Sequence, residues 1–174
     1  MSKCPVKVPD PYNKGLSLTK CIRIPFPQAV PALPIMDKAT CRYHLTGKCR
    51  VCEKFCQVKA IDFEQKERLL DYEVGAIILA AGAQEFDARL KGEYGYKLFP
   101  NVVSSMEYER MLSASGPSGG HVTRPSDGKE PEKIAIIQCV GSRDVGSGNE
   151  HCSAVCCMKS AKAAIITREH LPNA

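Results

Sequence analysis

Four cysteines crowd into "CRYHLTGKCRVCEKFC" and four more into residues 139–157; with Cys4 and Cys21 they make ten in a chain of 174 residues. Thiols at this density serve as disulfides, as metal or cluster ligands, or as small apolar filler. The opening stretch "MSKCPVKVPDPYNKG" has no apolar signal-peptide core. A cytoplasmic location is therefore expected, and tight clustering in that setting points to ligands rather than disulfides. The longest apolar run, "VGAIILAAGA", is too short and too rich in glycine to span a membrane.

The formal net charge is +5. Lys and Arg alternate with acidic residues, as in "EFDARLKGEYGYK", and no basic stripe with interleaved aromatics appears. That pattern argues against nucleic-acid binding. Clusters held by thiolates carry net negative charge and would offset such an excess.

Prolines at 5, 9, 11, 25, 27, 31 and 34 keep residues 1–40 out of long helices. Beyond the first cysteine group, "AIDFEQKERLLDYEVGAIILAAG" reads as two extended runs about a polar turn, the second a buried strand ending in glycine. "SSMEYERMLSA" reads as a helix, with Ser104 as N-cap and Glu107 as its capping-box partner. "KIAIIQCVG" reads as a second buried strand and "SAVCCMKSAKAAIIT" as a helix. The predicted organisation is a small cysteine-rich module over residues 1–66, followed by part of an α/β domain over 67–174.

In the first group the spacing is Cys41-x7-Cys49-x2-Cys52-x3-Cys56. The bacterial ferredoxin run is C-x2-C-x2-C-x3-C-P. The last three cysteines match it, the first interval is longer, and Gln57 stands in place of the proline. In two-cluster ferredoxins the fourth cysteine of each run ligates the other cluster. "KCPVKVP" looks like the tail of such a run. On that reading Cys4, Cys41, Cys49 and Cys52 hold one cluster, and Cys56 serves a second whose other ligands lie outside this sequence. Zinc is an alternative, because Cys41-x2-His44 with Cys49-x2-Cys52 also has zinc spacing. Unligated structural cysteines are another. Cys21 has no partner nearby in sequence and reads as packing.

The second group runs Cys139-x12-Cys152-x3-Cys156-Cys157. Cys139 ends a predicted strand, and "VGSRDVGSGNEH" is expected to fold the chain back. Cys152 and Cys156, four apart, are predicted to share a face at a helix start, where the helix dipole favours thiolates. This spacing matches no standard ferredoxin run, so a metal or cluster site, reactive thiols and core filler all remain open. His151 is the one local base for a thiol enzyme. "GSRDVGSG" is neither a dinucleotide-binding loop nor a Walker A loop, since Ser147 stands where lysine is needed. H-E-x-x-H does not occur.

Taken together, "IPFPQAVP", "KCRVCEKFCQVKAIDFEQ", "VGAIILAAGAQEFD", "EYGYKLFPNVVSSMEYERMLSASGPSGG", "RPSDGKEPEKIAIIQCVGSRD" and "CSAVCCM" resemble the A subunit of heterodisulfide reductase and related iron–sulfur flavoproteins of anaerobes. The resemblance implies a thioredoxin-reductase-like FAD domain, of which this α/β portion would be a fragment, with a ferredoxin-like (α+β) module inserted into it. It implies electron transfer among 4Fe-4S clusters, FAD and partner subunits, with ferredoxin or hydrogenase-type donors. It also implies that Cys139, Cys152, Cys156 and Cys157 hold a cluster beside the flavin. Ala80, Ala81 and Gly82 resemble a flavin-contacting turn, with Ala81 in place of the usual threonine. The glycine loop that grips the FAD pyrophosphate is absent from this sequence, so weak FAD binding by this chain alone is expected.

Overall fold

A computed structural model describes all residues, 1–174. The proline-rich start forms two hairpins instead of helix. Strand β1 (Lys7–Pro9) pairs antiparallel with β2 (Leu18–Lys20), in the register Lys7↔Lys20, Val8↔Thr19 and Pro9↔Leu18. Strands β3 (Ile22–Arg23) and β4 (Ile35–Met36) pair antiparallel in a second two-stranded sheet. Two short helices follow, α1 (Arg42–Thr46) and α2 (Val51–Lys54). Gly47 ends α1 in the left-handed conformation, at φ 71°, which glycine adopts without steric cost.

Helix α3 (Ser105–Leu112) begins as its sequence prescribes. The Ser104 hydroxyl accepts from the Glu107 N–H at 3.2 Å, and the Glu107 carboxylate accepts from the Ser104 N–H at 2.7 Å. Helix α4 (Cys156–His170) packs against α3, with the Tyr108 and Thr167 hydroxyls 2.6 Å apart. Arg168 and His170 lie in its last turn, where the helix dipole favours cations.

Burial is concentrated at two points. One small core holds Cys4, Cys21, Ile22 and Cys41, with Val6, Met36, Tyr43, Cys52 and Ile61 against it. The other holds Leu112, Val122 and Leu171 between α3, α4 and the loop that joins them. Polar contacts link the two. The Arg110 guanidinium lies 4.0 Å from the Tyr12 ring centroid and donates to Asn13 Oδ1 at 3.0 Å. Lys14 pairs with Glu85 at 3.0 Å.

The two apolar runs predicted as buried strands differ from expectation. Residues 74–82 and 133–139 lie in no helix or strand and join no ladder. Ile77, Ile78 and Leu79 are 77%, 92% and 89% exposed. A strand that is apolar on both faces is the kind buried inside a parallel sheet, where it needs neighbours on both edges and cover on both sides. Residues 1–174 supply neither for these runs.

Candidate functional site

The first site is built by the hairpins and the two short helices together. Cys4 precedes β1, and Cys21 sits between β2 and β3. The Lys20 ammonium donates to the Cys4 carbonyl at 2.6 Å, tying these two segments together. The Cys21 carbonyl accepts from the Asp37 N–H at 2.9 Å, and the Asp37 carbonyl accepts from the Cys41 N–H at 2.9 Å. That chain of bonds sets Cys41 at the N-cap of α1. Cys49 lies between the two helices and Cys52 within α2. As a result Cys4, Cys21, Cys41, Cys49 and Cys52 line one apolar cavity, with Met36 and Ile22 among its walls.

Four of these five are the set that ferredoxin spacing singles out. The fifth, Cys21, belongs to no motif; only the two hairpins bring it in, so spacing could not reveal it. The Cys4 and Cys21 sulfurs are 3.4 Å apart. Burial, together with its neighbours Cys4 and Cys41, pushes the Cys21 thiol up to about 12. Burial also acts to raise Cys4, but hydrogen bonds from the Cys21 thiol and adjacent backbone outweigh it and hold Cys4 below the ordinary thiol range. Burial raises Cys52. Cys56 lies outside the cavity, its sulfur accepting from the Ala60 N–H at 3.3 Å.

His44, the nitrogen donor of the zinc alternative, packs on aromatic rings instead of lining the cavity. Its ring centroid is 5.5 Å from Tyr43 and 6.1 Å from Phe63. No three His, Cys, Asp or Glu side chains gather tightly enough to clasp one ion. The five cysteines instead line one shared space, where the Cys4 and Cys21 sulfurs are 3.4 Å apart. A cubane cluster, with one thiolate on each of four irons, uses ligands set around such a space, whereas a single zinc draws its ligands to about 2.3 Å from one point.

A second cleft of about 660 Å³ adjoins this cavity and shares Pro5, Arg42 and Cys49 with it. Arg42, Lys48, Arg50 and Lys54 line it. Cys49 thus stands at the boundary between an apolar, cysteine-walled space and a strongly basic one.

A tight return loop joins Cys139 to the rest of the second cysteine group. Asp144 bridges to Asn149 in antiparallel fashion, and Val145–Ser147 forms a 3₁₀ turn between them. The Arg143 N–H donates to the His151 carbonyl at 3.2 Å, and the Ser142 hydroxyl donates to the same carbonyl at 3.0 Å. The chain after Cys139 is thereby brought back beside Cys152, as the sequence predicts. The predicted shared helix face fails, because α4 starts only at Cys156 and Cys152 lies before it. Ala154, at φ 62°, takes a left-handed conformation that interrupts the helix on that side. Cys139 and Arg143 are also left-handed, at φ 58° and 56°. Strained backbone of this kind persists where the surroundings enforce it. The Phe86 ring packs on Gly141, and a Cβ at that position would collide with the ring. Cys152 and Cys157 are exposed, and Cys139 and Cys156 are half-buried. The Ser153 hydroxyl lies 2.9 Å from the Cys156 sulfur.

Ala80, Ala81 and Gly82 are exposed and lie outside any helix or strand, with Gly82 left-handed at φ 76°. These three residues do not enclose a ligand, so they fit at most one contact of a flavin site. Exposure also orders the reactivity of the thiols. On native alkylation with peptide mapping by mass spectrometry, Cys152 and Cys157 are expected to react first and Cys21 last. Early labelling of Cys21 would contradict the burial described above.

A hairpin-supported cavity of five thiols, and a four-thiol group before and within a helix start, define a protein organised around cysteine sites. Similar proteins agree with that description. The A subunit of the CoB–CoM heterodisulfide reductase of Methanocaldococcus jannaschii, named as its iron-sulfur subunit, is 45% identical over 98% of this chain. A Methanosarcina mazei protein, named as the A subunit of a ferredoxin:CoB-CoM heterodisulfide reductase, is 44% identical over 97%. The second of two such iron-sulfur A subunits in Methanopyrus kandleri is 48% identical over 97%. No family model matches. Over almost its whole length the chain is similar to heterodisulfide reductase A subunits, and it spans only 25%, 21% and 25% of these three relatives.

Proposed function

We propose that this chain carries electrons through iron–sulfur clusters as part of a heterodisulfide-reductase-like complex. The observation behind this reading is that Cys4, Cys41, Cys49 and Cys52, the set suggested by analogy with a two-cluster ferredoxin, line one cavity. The names of the relatives, as iron-sulfur subunits, point the same way. When bound, a 4Fe-4S cluster supplies a site that gains and loses one electron. The residues of this chain would ligate it through four thiolates. Met36, Ile22 and Val6 would limit water at the sulfurs, and the basic cleft at Cys49 would oppose the negative charge.

The same cleft suits an acidic electron carrier such as a ferredoxin, the reductant or product in the names of some relatives. Other subunits of a heterodisulfide-reductase-like complex are the further partners. No helix is long and apolar enough to cross a membrane, and a cytoplasmic site of action is part of this proposal. Cys139, Cys152, Cys156 and Cys157 would hold a second cluster. Cys56 would serve a further one with ligands from outside residues 1–174. Flavin contact is limited to Ala80–Gly82, and no step is assigned to it.

Anaerobic reconstitution with iron and sulfide tests this reading. The expected product is brown, with broad visible absorption and equal iron and acid-labile sulfide. A colourless protein holding stoichiometric zinc would overturn it in favour of a structural zinc module.

A further inference from the structure

We propose that Cys21 is a hydrogen-bond donor to the ligating sulfur of Cys4, and that it sets the potential of the first cluster without holding it. This rests on the reading of Cys4 as a cluster ligand. Five thiols line the cavity, but a cubane cluster has four irons to ligate. Cys49-x2-Cys52 matches the ferredoxin run, Cys41 precedes it at a longer interval, and Pro5 follows Cys4 as proline follows the last cysteine of such a run. Cys21 is the thiol left over.

Its placement is that of a donor. The Cys21 sulfur is 3.4 Å from the Cys4 sulfur, within hydrogen-bond range for sulfur, and Cys21 is only 3% exposed. Both of its flanks are anchored. Lys20, on one side, ends β2 and binds the Cys4 carbonyl at 2.6 Å. Ile22, on the other, opens β3 and pairs with Met36. Cys21 therefore has little freedom to turn away from Cys4. An ordinary cysteine carries its proton at neutral pH and offers one S–H.

A donor aimed at a ligating thiolate withdraws charge from it. Reduction adds negative charge to the cluster, so the donor favours the reduced form and raises the potential. Cys21 is in this sense a positioning residue acting through Cys4.

The test is potentiometric. The chain is reconstituted anaerobically in a Cys152→Ser background, so that the first cluster titrates alone, and reduction is followed by electron paramagnetic resonance. Cys21→Ala is expected to keep the parent's iron and sulfide while its midpoint moves negative. The expected size is about a tenfold rise in the ratio of oxidised to reduced cluster at the parent's midpoint, about 59 mV for one electron. Cys21→Ser, which restores a donor, is expected to recover most of the shift. An unchanged midpoint in Cys21→Ala would refute the proposal while leaving the cluster assignment intact. Loss of the cluster in Cys21→Ala would also refute it, by making Cys21 a ligand. Failure of the parent to bind any cluster would refute this inference together with the proposed function.

Discussion

Cys49→Ser is expected to remove one cluster, about four irons, from the reconstituted chain, and Cys152→Ser to remove a different one. The double variant is expected to retain none. The reasoning lies in the architecture. Cys49 faces the cavity formed by the hairpins and α1–α2, whereas Cys152 sits beside the return loop of residues 139–151. No thiol is shared between the two groups. Each single loss should therefore leave the other cluster's sulfide and spectrum unchanged, and the losses should add. The measurement is iron and acid-labile sulfide per chain for the four proteins. An unchanged iron count in Cys152→Ser would remove the second cluster from the scheme. Loss of all iron in either single variant would show one joint site in place of two.

The largest effect on stability is expected at Glu107, which is 2% exposed. Its carboxylate accepts from the Tyr96 hydroxyl at 3.1 Å, the Lys97 ammonium at 2.6 Å and the Ser104 N–H at 2.7 Å. Glu107→Ala abolishes the capping box and leaves the Tyr96 hydroxyl and the Ser104 N–H without that acceptor. Lys97 is more than half exposed and turns to water, so its ion pair contributes little. The two half-buried donors left unpaired are together expected to cost about 2 kcal/mol, while the Ser104 cap on the backbone N–H of residue 107 survives. Urea unfolding followed by helix circular dichroism measures it. Glu107→Gln, which keeps the shape and one acceptor oxygen, should lose clearly less. A cost near zero for Glu107→Ala would mean that these bonds merely replace equivalent ones to water.

What can be read in the sequence is mostly what is local. The Ser104–Glu107 capping box spans three residues and needs no tertiary partner, so the start of α3 is legible. The interval between Cys49 and Cys52 is equally local, and the turn of chain between them brings both to one cavity. Cys21 is not legible in the same way, because two separate hairpins carry it to Cys4 and no spacing rule encodes that. The runs at 74–82 and 133–139 show why pattern and pairing differ. Their apolar, β-branched composition is that of interior strands, but a ladder also requires neighbouring backbone. The start of α4 falls later than its composition predicts, because the left-handed backbone at Ala154 breaks the helix ahead of Cys156.

The bare run Ile77–Ile78–Leu79 also matters during biosynthesis. An uncovered apolar stretch with free N–H and C=O groups is a template for pairing with another copy, the usual first step of aggregation. The flanking sequence guards against this. Glu67, Arg68, Asp71 and Glu73 stand before the run, Glu85 and Asp87 after it, and Gly75 and Gly82 bracket it. Such gatekeepers cost stacked copies charge repulsion while leaving the apolar centre free to enter a proper sheet. They lower the chance of self-association while this run stays uncovered.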